Sequence, residues 1–198
     1  MAIERPQYDV LASTDDYEIR RYDSYIVAET DVEGTYKTAG NKAFKILAGY
    51  IFGDNRASEK MAMTAPVESR PASESVTMKM TAPVTSSASA DEAGLYTYSF
   101  VMEKKSTRET LPLPNDPRVR IRVVPARTVA VHRYSGSWSE KNYAKHERVL
   151  LDALAYDGVS TRGAPISARY NAPFTPWFMR RNEVMIEIER EAQGAADE

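Results

Sequence analysis

An α+β fold, with antiparallel strands curled into an open or closed barrel and two helices packed outside it, is predicted by three observations. The chain resembles itself at a fixed offset of 102 residues, which sets Ile19 on Ile121, Val27 on Val129, Ala28 on Ala130, Gly34 on Gly136, Tyr36 on Trp138 and Leu47 on Val149. Each half carries one apolar stripe at the 3.6-residue period, and each stripe is preceded by glycine and a hydroxyl residue. Extended, β-rich segments flank both stripes.

In the first half, "YEIRRY" (17–22) and "YIVAETDV" (25–32) form two strands joined by a two-residue turn. "EGTY" follows, in which Gly34 permits a tight bend and Thr35 can accept hydrogen bonds from the free N–H groups of a helix start. The helix near 36–52 places Tyr36, Ala43, Phe44, Leu47, Tyr50 and Ile51 on one face, and Gly53 is its stop signal. "LYTYSFVME" (95–103) is the closing strand.

The second half repeats the plan with "VRIRVV" (119–124), "RTVAVHRY" (127–134) and "SGSW", where Ser137 takes the capping role. A helix near 139–156 aligns Tyr143, His146, Val149, Leu150, Ala153 and Leu154, and Gly158 ends it. "SARYNA" (167–172) and "EVMIEIER" (183–190) are the last strands. "ESRPASES" and "TSSASADEAG" are polar enough to be solvated loops, "LPLPNDPRV" (111–119) connects the halves, and "EAQGAADE" is a frayed tail. Residues 1–198 are thus expected to form one domain with internal repeats at about 17–103 and 119–188.

Twenty-six basic and 28 acidic side chains leave a formal charge of −2, so no global field draws the chain to nucleic acid. The absence of cysteine removes disulfides, thiolate metal sites and thiol nucleophiles, and suits a reducing compartment. No apolar run approaches about 18 residues, and acids interrupt the N-terminal stretch where a signal peptide needs an apolar core. A cytoplasmic protein without a membrane span is expected. Neither a nucleophile elbow, a phosphate loop nor metal-ligand spacing is present, so an enzyme is the less favoured class. Isolated carboxylates such as Glu59 and Glu183 are the residual acid–base candidates.

"MAMTAPV" (61–67) recurs as "MKMTAPV" (78–84). Alternation along an extended segment puts Met61 and Met63 on one face and Met78 and Met80 on one face. Three uses fit these thioethers: adaptable core filler, the lining of a groove for a large flat apolar ligand, or a copper(I) site. Near the C-terminus, "TPWFMRRNEV" allows Trp177 and Phe178 to rim a ligand with Arg180 or Arg181 meeting carboxylates. It equally allows a pinned loop whose arginines pair with Glu183 and whose Asn182 caps backbone groups.

These segments, "YEIRRYDSYIVAET", the two "MTAPV" copies, "YSFVM", "LPLPNDPRVRIRVVPARTVAVHRYSGSWSEKNY" and "ARYNAPFTPWFMRRNEVMIEI", resemble the SOUL haem-binding protein family in its bacterial form, from about Tyr17 to Ile188. The resemblance implies a distorted antiparallel β-barrel flanked by two α-helices with pseudo-twofold symmetry. It also implies reversible binding of haem or another tetrapyrrole in an apolar groove beside the first helix. The groove positions would be Phe44, Leu47, Ala48 and Ile51 with Met61 and Met63, and the cations meeting propionates would be Lys42 and Lys45. The family's own basic positions in this helix correspond to Asn41 and Gly49, which leaves Lys42 and Lys45 as the nearby cations, and the axial histidine of some animal members corresponds to Arg21, so no axial ligand carries over.

His132 and His146 are the chain's two histidines and its weak candidates for a metal ligand. On this reading the chain is a carrier or buffer of haem. The alternative is a small-molecule effector-binding module like the gyrase-inhibitor-like domains, some of whose relatives are proposed hydrolases. An open apolar groove beside the first helix favours the former, and an interior pocket around a buried glutamate the latter.

Overall fold

The computed structural model describes residues 4–57, 75–89 and 92–189. In chain order the elements are β1 (Tyr8–Ser13), β2 (Glu18–Tyr22), β3 (Tyr25–Glu33), α1 (Tyr36–Ile51), β4 (Asn55–Arg56), β5 (Val84–Ala88), β6 (Leu95–Val101), β7 (Leu113–Pro114), β8 (Arg120–Val124), β9 (Arg127–Tyr134), α2 (Glu140–Tyr156), β10 (Thr161–Arg169), a 3-10 turn (Trp177–Met179) and β11 (Asn182–Ile188). Nine strands form one antiparallel sheet in the order β1-β2-β9-β11-β10-β5-β6-β3-β8, and β4 pairs with β7 apart from it. The fold is α+β, a curled half-barrel with two helices against it.

Two of the pairings join strands far apart in sequence. β2 pairs with β9 and β8 pairs with β3, so that Ile19 faces Ala130 while Ala28 faces Ile121. Each of these two pairs is the other displaced by 102 residues. β5 and β10 pair at the middle of the sheet, where Ser86 lies opposite Ser167.

Alternation along the strands divides the buried side chains between two faces. On one face α1 packs Ala39, Ala43, Leu47, Tyr50 and Ile51 against Ala28, Tyr98 and Phe100, and α2 packs Leu150 and Leu154 against Ala130, Val184 and Ile186. On the other, Tyr22, Val129, Val131, Ala168, Tyr170 and Met185 form a separate cluster.

Thr35 caps α1 through a capping box with Thr38. For α2 the cap is Ser139, not the expected Ser137. The physical reason is Trp138, whose indole N–H donates to Asn182 Oδ1 at 2.8 Å and holds this residue outside the helix, whereas its counterpart Tyr36 is the first helical residue. Gly136 precedes this turn at φ 131°, and a Cβ there would lie 2.7 Å from the Asn142 amide nitrogen.

β1 was not foreseen, because its six residues are mostly exposed and pair only with β2. "TSSASADEAG" is not wholly loop, since its first residues belong to β5, a strand whose backbone is claimed on both sides by β6 and β10. The segment "LPLPNDPRV" contributes β7, and Tyr50 donates to the Pro112 carbonyl at 2.8 Å.

Candidate functional site

The exposed edge of α1 forms one wall of a cavity of about 390 Å³. Tyr36, Lys37, Gly40, Asn41 and Phe44 recur along the helix at spacings of one, three and four residues, next to the buried stripe but turned away from it. Val84 of β5 and Tyr98 of β6 form the floor, while Trp138, Arg169 at the end of β10, Asn171 and Pro173 complete the far side. Four aromatic rings and two cations therefore line one groove, at the scale of small-molecule sites.

Arg169 is the centre of the far wall. Its guanidinium lies 5.4 Å from the Tyr36 ring centroid and 5.3 Å from that of Trp138. Arg180 covers Trp138 at 4.2 Å and donates to the carbonyls of Thr175 (2.8 Å) and Pro173 (2.9 Å). The loop between β10 and β11 is thereby pinned, as the second of the two sequence readings of this segment held. Arg181 pairs with Glu183 at 2.7 Å, and Asn182 donates to the Gly136 carbonyl.

At the floor, the Tyr98 hydroxyl is buried and makes no hydrogen bond of good geometry, with Ser86 its neighbour across the strand pair. Burial pushes this phenol's pKa up, against the opposing charge of Arg169. Gly40 leaves room for it, since a Cβ there would approach the hydroxyl to 3.2 Å.

The residues expected from the sequence separate in space. Phe44 is 41% exposed, lines the groove and meets buried Phe100 edge to face at 5.7 Å. Leu47 and Ile51 are 0% and 1% exposed and lie in the core beneath the helix, and Ala48 is half-buried. Lys42 and Lys45 border a different, more open depression with Asp31, Asp54 and Asp116, and Lys42 donates to the Glu33 carbonyl. Met61, Met63 and Glu59 fall outside the described residues. In the second copy, Met78 packs half-buried against the α1 core and Met80 is 39% exposed; buried Asn55 fixes this stretch by bonding both backbone groups of Val76.

The two histidines lie apart from the groove and bind each other. His132 Nδ1 faces the Asp16 carbonyl at 2.6 Å, and a carbonyl only accepts, so the neutral ring presents Nε2 as acceptor to His146 Nδ1–H at 2.9 Å. His146 stacks on Tyr134 with centroids 4.0 Å apart. Burial, and then the neighbouring His132, lower its pKa to about 4.

Glu183 is wholly buried on the sheet face opposite the helices. Its Oε1 accepts from Arg20 at 3.1 Å and Arg181 at 2.7 Å, and its Oε2 accepts from the Tyr170 hydroxyl at 2.6 Å. A carboxylate so occupied is a structural anchor. Lys37, Tyr98, Arg169 and Asn171 went unnoticed in the sequence as site residues; Arg169 left the only signal, as the lone charge in "SARYNA".

Solved structures with a similar fold include a hydrolase from Listeria innocua (TM-score 0.56, 11% identity, covering 90% of this chain and 94% of that one). The C-terminal domain of EcmrR is another (TM-score 0.56, 11% identity, covering 93% and 99%). At that identity the likeness concerns the fold alone. No curated protein matches the sequence. A family model described as SOUL heme-binding protein matches residues 3–187, nearly the whole chain, and the chain belongs to that family.

Proposed function

We propose that this protein is a reversible carrier or buffer that holds haem or another tetrapyrrole in the groove between α1 and the β10–β11 loop. The observation that carries the reading is the lining itself: aromatic faces of Tyr36, Phe44 and Trp138 beside the cations Lys37 and Arg169. Flat apolar rings stack on the first set, and carboxylates meet the second. Among the described lining residues there is no imidazole or thioether, and the raised pKa of Tyr98 opposes a phenolate ligand, so the macrocycle is held by packing and carboxylate contacts. Bound haem would supply the iron and its visible absorption. Leu47 and Ile51 serve the site from beneath by fixing the helix.

Magnitude agrees with a carrier. A planar ligand burying roughly 300 Å² at about 25 cal/mol/Å² gains about 7 kcal/mol before association costs, which corresponds to micromolar affinity at best. The composition suits a cytoplasmic setting, and no described helix is long and apolar enough to cross a membrane. The 102-residue correspondence in strand register supports a chain built from two copies of one plan.

Titration with haemin, followed by its Soret band and repeated with a metal-free porphyrin, tests the reading. Saturable, comparable binding of both supports it, and absence of saturation for both overturns it. A small-molecule effector module with or without hydrolase activity is the second reading, favoured by the shared fold. The buried glutamate such a module would use is here already engaged by two arginines and a tyrosine.

A further inference from the structure

We infer that the tip of the β10–β11 loop docks on an anionic lipid bilayer, beside the mouth of the groove. Within six residues, Phe174, Trp177, Phe178 and Met179 are 90%, 62%, 61% and 65% exposed. Four large apolar side chains projecting from one short loop form a patch that water disfavours, the mark of an interaction surface. The tip is held firmly. Gly136 N–H donates to the Trp177 carbonyl at 3.1 Å, Met179 N–H closes the turn on Pro176, and the Trp177 and Phe178 rings meet edge to face at 5.6 Å.

Charge selects the partner. From Arg169 to Arg181 the chain has three arginines and no acid, of which Arg181 is paired with buried Glu183, and Lys37 of α1 faces the loop across the groove. Arg169 and Arg180 direct their donors to the Tyr36 hydroxyl and to loop carbonyls, and neither is paired with a carboxylate among the described residues. Aromatic side chains at the end of a projection, with cations set behind them, match a bilayer interface, where rings sit at headgroup depth and cations meet phosphate and serine groups. Pro173 belongs to both the loop and the groove lining, so docking would bring the groove mouth to the membrane.

Co-flotation of the ligand-free protein with vesicles of equal parts phosphatidylcholine and phosphatidylserine tests this, with phosphatidylcholine vesicles as comparison. Wild type should float with the anionic vesicles and be released by salt. The double variant Trp177→Ser, Phe178→Ser and, separately, Phe174→Ser should keep the wild-type melting curve, and the double variant should bind at least about tenfold more weakly. Failure of wild type to float, undiminished binding by the double variant, or a self-association in sedimentation that the double variant abolishes would each overturn the inference. Because no tetrapyrrole is present, a failed Soret titration leaves this result standing on its own.

Discussion

Arg169 Nη2 donates to the Tyr36 hydroxyl at 3.0 Å, joining the last residue of β10 to the first residue of α1 across 133 positions of sequence. The bond ties together the two walls of the groove and aims a cation along its aromatic lining.

Arg169→Gln should weaken haemin and metal-free porphyrin alike by about tenfold, the worth of one charge-assisted contact. Phe44→Asp, which places a charge on the apolar wall, should remove saturable binding of both. Soret and porphyrin-absorbance titrations read the two variants, while His132→Gln should leave both affinities unchanged, since that ring faces away from the groove.

Tyr98→Phe removes a buried hydroxyl that makes no hydrogen bond of good geometry. Stability in urea should hold or rise by about 1 kcal/mol, where loss of a satisfied hydroxyl would cost a similar amount. A drop of that size would show that Ser86 is a true partner.

Glu183→Gln leaves Arg20 and Arg181 facing a neutral amide in a closed interior. A loss of about 3 kcal/mol or more is expected in chemical denaturation. The exposed pair Arg21–Asp9, at 2.8 Å, is the control, and Asp9→Asn should cost no more than about 1 kcal/mol.

His146 sets a pH dependence. Because His146 in the folded protein holds its proton only below about 4 against an ordinary 6.5, the unfolded chain binds more protons between these values. Stability therefore falls as pH drops through that window and is level above it. His146→Phe, which keeps the stack on Tyr134, should flatten the slope of the urea midpoint between pH 7 and pH 5; an unchanged slope would assign the acid sensitivity elsewhere.

Periodicity sufficed to place α1 and α2 within a residue or so of their observed ends, because an amphipathic stripe with a capping hydroxyl and a following glycine is a local pattern. The same stripe did not reveal which of its residues would remain outside. Phe44, Leu47 and Ile51 are neighbours on one helical face, yet only the curvature of the sheet beneath determines that Leu47 and Ile51 are covered while Phe44 stands at the edge.

β5 makes the same point in the sheet. "VTSSA" has no strong apolar alternation, and its strand exists because two flanking edges supply partners for its backbone. By itself, then, the sequence determined the α+β class and the family, both of which are written in local spacing and in ordered motifs. Tertiary structure decided the groove, for Tyr36, Tyr98 and Arg169 come from three separate elements and Trp138 from the turn before α2, and no local pattern records which side chains a folded sheet brings face to face.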